Sequence, residues 1–316
     1  MRGLLRTMAE GVPRDTLLAR IRGRRSYLIG SWDRLLLSPE PLSGLPSAPW
    51  RPDLTGGGEW RLLQREYTWV FSWMVEPLRV AMAPFFWLTE LRTVAICLRY
   101  RASGREVDDG ILRESLLSDP IRNLLHDAPD VVAAVRLLTK LLVPLGLASA
   151  DLPDLFRQGG CGALERALYD TSLERLAITA TDPIIKRYVM LLIDSRNLIT
   201  VAKQLRWRIA VSPRLLPGGN IRPALLEERF ARQDTAGIAL LAAHLGGGDQ
   251  PGDPDEIEQT VLAAQGRFLR DLAREPTGVG AVIDYLWRCG REARNLGLLS
   301  RLATAGNSQI EAELLS

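Results

Sequence analysis

The stretch that decides the fold is Asp194-Ser-Arg-Asn-Leu-Ile-Thr-Val-Ala-Lys-Gln-Leu-Arg206. An altered copy stands on each side of it. Upstream is Glu90-Leu-Arg-Thr-Val-Ala-Ile-Cys-Leu-Arg99, and downstream is Glu292-Ala-Arg-Asn-Leu-Gly-Leu-Leu-Ser-Arg301. Each copy reads acid, any residue, Arg, Asn or Thr, then aliphatic, and closes with a basic residue nine places after the acid. The acids are 104 and 98 residues apart. A pattern that recurs at such similar spacing points to one supersecondary unit used three times.

Helical geometry says what each copy can do. Successive residues turn by about 100° on an α-helix, so the residues four and seven places after the acid lie within about 40° of it. Those residues are Val94 and Cys97, Leu198 and Val201, and Leu296 and Leu299. Each acid therefore sits inside an apolar arc. The Arg two places on and the basic residue nine places on project from the opposite side: Arg92 with Arg99, Arg196 with Lys203, and Arg294 with Arg301. A carboxylate removed from water needs partners, because an unpaired one is strongly unfavourable. Glu90, Asp194 and Glu292 are thus expected to accept hydrogen bonds from Arg or helix-end amides inside their own unit. Together with Arg92, Arg196, Asn197, Arg294 and Asn295 they form a structural polar motif that fixes helix packing. The competing reading is a directly functional acid.

The chain around these copies has a helical pattern. Residues 15–37 carry Leu17, Leu18, Ile21, Leu28, Leu35 and Leu36, with Arg20, Arg22, Arg24 and Arg25 among them. That basic cluster reads as a solvated face, with an anion or membrane-surface contact, or contacts to protein, as the alternatives. Residues 38–58, rich in Pro, Ser and Gly, read as a long loop. Trp60 to Tyr100 is helical, with breaks expected near Pro77 and Pro84. Trp69 and Trp73 stand four apart, as a core-facing stripe does, and a base-stacking platform is the alternative. Asp182-Pro183 opens the central motif helix, with Pro in the first turn; the helix ends before Pro213. Gly246 to Pro254 forms another loop. No run of alternating residues supports a strand. Each unit places a helix pair first, then a turn bearing Pro77, Pro183 or Pro276, then the motif helix. The fold class is all-α, with three divergent helical bundles in series over residues 1–106, 107–216 and 217–316.

Composition narrows the function. Of 316 residues, 47% are apolar and 24% charged, as in ordinary globular chains. Forty basic and 37 acidic residues leave a net charge of +3, too small to require a nucleic-acid partner. Cys97, Cys161 and Cys289 form neither a disulfide framework nor a metal pair, which fits a reducing compartment. The N-terminus lacks the apolar core of a signal peptide. The most apolar region, Trp69 to Leu98, is cut by Glu76, Pro77, Arg79, Pro84 and Glu90, so no membrane span is expected. Any work at a membrane would be peripheral. Neither a phosphate-cradling Gly-x-x-x-x-Gly-Lys-Ser/Thr nor His-Glu-x-x-His nor Gly-x-Ser-x-Gly occurs. His126 and His244 read as packed or helix-end residues. No catalytic residue, cofactor-binding residue or metal ligand is assigned, and no cofactor is expected.

Three helical repeats, each ending in Asp/Glu-x-Arg-Asn-Leu or a variant, resemble the C subunit of V/A-type rotary ATPases, called the d subunit in eukaryotes. Asp194-Ser-Arg-Asn-Leu-Ile and Glu292-Ala-Arg-Asn-Leu-Gly-Leu-Leu carry the likeness, with the opening Ala19-Arg20-Ile-Arg-Gly-Arg-Arg-Ser-Tyr-Leu28. Glu90-Leu-Arg-Thr-Val departs from it, because Thr93 stands where Asn is expected. The resemblance implies three similar bundles arranged as a pseudo-threefold funnel. It implies a peripheral place on the cytoplasmic face of a membrane rotor ring, with a socket for the central stalk. The protein would transmit torque for proton or sodium transport and would not itself be an enzyme. Its partners would be the stalk subunits and the ring, with no nucleic acid and no small-molecule substrate. Arg92, Arg99, Arg196, Lys203, Arg294 and Arg301 are the candidate partner-binding residues. A helical-repeat scaffold or RNA-binding module and an enzyme with an unfamiliar helical site are the alternatives.

Overall fold

The computed structural model describes residues 3–30, 32, 59–245, 256–275 and 278–302. The expected loops at 38–58 and 246–254, Pro276, and the side chain of Arg301 lie outside the described residues. Among the described residues the regular structure is all-α, apart from one isolated antiparallel bridge between Leu5 and Leu117. In chain order the helices are α1 (Arg14–Arg25), α2 (Glu59–Trp73), α3 (Glu76–Ala102), α4 (Asp109–Glu114), α5 (Asp119–Asp127) and α6 (Val131–Leu142). After a 3-10 turn at Val143–Leu145 come α7 (Leu152–Thr179), α8 (Pro183–Arg206), α9 (Pro223–Ala231), α10 (Thr235–His244), α11 (Ile257–Leu272) and α12 (Val279–Leu302).

Local chemistry sets these limits. Asp182 caps α8 by accepting from the amides of Ile184 (2.9 Å) and Ile185 (3.1 Å), and Pro183 takes the first turn, where a missing N–H costs nothing. Asp130 caps α6 through the Ala133 amide, and Asp234 caps α10 through the Gly237 amide. Gly160, at φ 62°, breaks the helical geometry inside α7. The expected break at Pro84 does not occur, and α3 runs through it. Ala83, Pro84, Phe85 and Phe86 are all buried there. Their packing offsets the lost amide and the crowding of the preceding turn, a cost of about 3 kcal/mol.

By contact the chain divides into two compact units, one of Met1–Thr7 with Pro77–Phe268 and one of Met8–Glu76 with Leu269–Ser316. In the first, α8 packs on α7, α9 and α10, and α7 packs on α6. Leu198, Val201 and Leu205 of α8 meet Leu226, Phe230, Ile238 and Val261 in one core. α3 joins this unit through a buried hydrogen bond from Trp87 Nε1 to Ser172 Oγ (3.1 Å) and a ring contact between Phe85 and Tyr188 (5.7 Å). Among the described residues α3 alone is long and apolar enough to cross a membrane, but 67% of its most apolar window is buried within the protein. It is a core helix.

In the second unit α12 packs on α2 and α1. Buried Glu66 of α2 accepts the Tyr285 hydroxyl at 2.6 Å and Arg24 at 2.7 Å. Buried Asp284 of α12 is bridged by Arg25 and Arg288, each at 3.0 Å. The guanidiniums of Arg20 and Arg24 cover the rings of Trp73 and Trp69 at 4.2 and 3.7 Å. This corrects two sequence readings. The α1 arginines tie their helix to its neighbours and do not form a purely solvated face. The two half-buried tryptophans lie under those arginines, so they are neither a fully buried core stripe nor an open stacking platform.

Candidate functional site

The three motif segments fall on α3, α8 and α12, and their apolar arcs are buried as the helical wheel requires: Val94, Cys97, Leu198, Val201, Leu296 and Leu299. Glu90, Asp194 and Glu292 are buried among them. Their partners are mostly backbone amides, but these come from outside the units drawn from sequence. Glu90 accepts from the Leu116 amide (2.8 Å) and the Ser115 hydroxyl (2.8 Å). Asp194 accepts from the amides of Asn220 (2.9 Å) and Ile221 (3.0 Å) and from Asn220 Nδ2 (3.1 Å). Glu292 accepts from the Ile29 amide at 2.9 Å. In the first two cases the donors lie past the boundaries at 106 and 216; in the third the donor lies in the N-terminal segment. The acid thus fastens its helix to a segment outside its own unit, and the expectation of an internal pairing is corrected.

Asn197 extends this fastening. Its Nδ2 donates to the Leu216 carbonyl (2.9 Å) while its Oδ1 accepts from the Leu216 amide (2.8 Å). Thr93, the departure from the pattern, is buried and hydrogen-bonds to Glu90 instead. Asn295 is fully buried as well. Burial pushes the carboxyls of Glu90 and Asp194 above the usual carboxylate range, and the donated hydrogen bonds oppose that shift. Pro217-Gly218-Gly219 is legible in the sequence as a turn, but not as a seat for a carboxylate. A Cβ on Gly219 would overlap Asp194 Oδ1, and Gly218 takes the left-handed φ of 95°.

The basic residues separate into different settings. Arg92 and Arg99 are exposed on α3. Arg99 makes a two-pronged pair with Glu165, Nε to Oε1 and Nη2 to Oε2, both at 2.6 Å. Arg196 makes a similar pair with Asp170, both contacts at 3.1 Å. Lys203 reaches Glu258 at 2.9 Å. Arg294 is exposed on α12. Arg92, Arg99 and Arg196 line one groove of about 490 Å³ between α3 and α7–α8, whose apolar wall includes Leu88, Leu91 and Ile96. Sequence reasoning missed Glu165, Asp170 and Arg166, which also line it. They belong to no motif, and only the fold brings α7 against the two motif helices. Two ion pairs, Arg99–Glu165 and Arg196–Asp170, stand in this groove beside its aliphatic side chains, so it offers both charged and apolar contacts. Among the described residues no three or more His, Cys, Asp or Glu side chains gather to hold a metal ion.

A family model described as ATP synthase (C/AC39) subunit matches residues 60–313. The chain is 25% identical over 234 residues to the C subunit of the V-type ATP synthase of Thermus thermophilus, an overlap covering 72% of this chain and 71% of that protein. The corresponding protein from a second strain of the same organism matches to the same extent.

Proposed function

The chain belongs to the ATP synthase (C/AC39) subunit family, and from that premise we propose that it is a non-catalytic socket between the central stalk and the membrane rotor ring. In this reading residues 1–106, 107–216 and 217–316 form three bundles of a pseudo-threefold funnel. The funnel receives the tip of the stalk and passes torque to the ring, for proton or sodium transport. The protein sits peripherally on the inner face of the membrane. The observation that carries the reading is the convergence of Arg92, Arg99 and Arg196, drawn from two copies of one sequence pattern, on a single amphipathic groove. A torque-bearing seat needs to resist sliding as well as separation. The two-point ion pairs Arg99–Glu165 and Arg196–Asp170 tie α3 and α8 to α7 and so stiffen the wall of that groove, a directional support that apolar contact alone does not supply.

The same pairing argues against an RNA-binding role for this stripe. Arg99, Arg196 and Lys203 are each already matched by a carboxylate, so they release few counterions on meeting a polyanion. The test is capture of the stalk subunits and the rotor ring by the intact chain, at low and high salt. Wild type is expected to retain both partners. Arg92→Glu together with Arg294→Glu is expected to weaken stalk capture, most of all at low salt where screening is least. A complex that assembles fully and couples hydrolysis to transport without this chain would overturn the proposal.

A further inference from the structure

The ends of α3 and α8 share one backbone design. At the end of α3 the amides of Ser103, Gly104 and Arg105 donate to the carbonyls of Arg99, Arg101 and Tyr100, and Gly104 takes φ 68°. At the end of α8 the amides of Trp207, Arg208 and Ile209 donate to Lys203, Leu205 and Gln204, and Arg208 takes φ 51°. The two sets are offset by 104 residues throughout, the same spacing as Glu90 and Asp194. Glycine is the ordinary residue at the left-handed position that closes such a helix. The first end has it. The second has arginine, flanked by tryptophan and isoleucine where the first has serine and arginine.

The segment beyond this helix end is unusual for a protein surface. Residues Arg206 to Ser212 are all exposed, Trp207 at 64% and Val211 at 73%. Ile209 is exposed too. Arg206, Arg208 and Arg214 lie among them, and the stretch 206–214 holds no acid. None of these three arginines makes an ion pair with any described residue, unlike Arg99, Arg196 and Lys203 of the motif helices. An indole and two aliphatic side chains held out beside unmatched guanidiniums are costly in water. They suit one setting well, the boundary between anionic headgroups and acyl chains. There Trp rests at headgroup depth, aliphatic side chains enter the hydrocarbon edge, and Arg meets phosphate. Nucleic acid would use the arginines and the indole but leave Ile209 and Val211 in water.

We propose that the loop Arg206–Arg214 docks on the surface of an anionic lipid bilayer. The idea stands apart from the proposed stalk socket, whose groove is lined from α8 by Arg196 and by no residue of 206–214. The test is co-sedimentation of the full chain with phosphatidylcholine vesicles, with and without phosphatidylglycerol, over a range of salt. Binding is expected only with phosphatidylglycerol, and it should weaken as salt rises. Each neutralised arginine, Arg206→Gln or Arg214→Gln, should lower the partition by about fivefold. Trp207→Ser with Val211→Ser should lower it as well, and the loss should persist at high salt. These side chains are exposed, so the variants are expected to keep the wild-type melting curve. Should one fail to fold, the remaining substitutions still decide the question. Equal binding to both vesicle types, no binding to either, or variants that bind like wild type would overturn the proposal. So would binding of a single-stranded RNA oligomer through these residues in the absence of vesicle binding.

Discussion

Replacing Asp194 by Ala tests the fastening of α8 most directly. The substitution removes the acceptor of three hydrogen bonds: those from the amides of Asn220 and Ile221 and from the Asn220 side chain. An unsatisfied buried donor costs about 1–3 kcal/mol, whereas an exposed one recovers most of its energy from water. Asn220 is exposed and Ile221 only half-buried, so the three losses do not sum at full value. The burial that pushes the Asp194 carboxyl up also means that removing the charge gives something back. The net expectation is a loss of about 2 kcal/mol. The compact unit that holds α8 has about 200 residues, and such a unit shifts its melting midpoint by about 2–4 °C per kcal/mol, so a drop of about 4–8 °C is expected. Calorimetry or circular dichroism reads the midpoint, and amide hydrogen exchange at residues 216–221 reads the local release. Asp194→Asn keeps the volume but turns an NH2 toward donors, so it should remain destabilised. Arg294→Ala, at an exposed position, serves as the control. An Asp194→Ala protein with unchanged midpoint and unchanged exchange at Asn220 and Ile221 would refute the reasoning.

Gly219→Ala should be destabilised by about 1–3 kcal/mol, because its methyl group overlaps the seated carboxylate; pairing it with Asp194→Ala in a double-mutant cycle should recover part of that loss. Arg208→Gly should gain about 1 kcal/mol, since φ 51° is strained for arginine and free for glycine; a chemical-denaturation midpoint that does not rise would contradict this. Glu90 supplies a pH test. Its folded carboxyl is held above its unfolded value, so its contribution to stability is fully present below about pH 4 and is lost as pH rises through the raised folded value. Wild type should therefore lose ground to Glu90→Gln on going from about pH 4 to neutrality, read as the difference between their unfolding midpoints, and a pH-independent difference would contradict the assignment.

Much of this was legible in the sequence because it came from periodicity. The apolar arcs of α3, α8 and α12 repeat at helical spacing, and Asp182-Pro183 marks a start by local chemistry alone. The burial of the acids rests on the same angular argument. What they bind does not, because Leu116, Ile221 and Ile29 contribute backbone amides, which have no signature in the residue type. Pro84 misled for a related reason: its cost is local and visible, while the packing that offsets it is tertiary. Glu165 and Asp170 were overlooked because no pattern on α7 sets them apart from any solvated acid. Only the approach of α7 to two motif helices gives them partners. The arginines of α1 carried a charge signal that was easy to see. Their direction was hidden, because it depends on Glu66 and Asp284, which lie far along the chain.

The bond between Glu292 and Ile29 has a consequence for how the protein is made. α1 and α2 leave the ribosome before α12, yet Glu66 and Arg25 complete their pairing only with Tyr285 and Asp284 of α12. About 200 residues separate the end of α2 from the start of α12, and at a synthesis rate of about 5–20 residues per second the interval is about 10–40 s. For that time the apolar stripe of α2 stands without its final cover, and a carboxylate destined for burial stays in water. The packing of α1 and α2 is therefore completed only after α12 has been made, although both precede it in the chain.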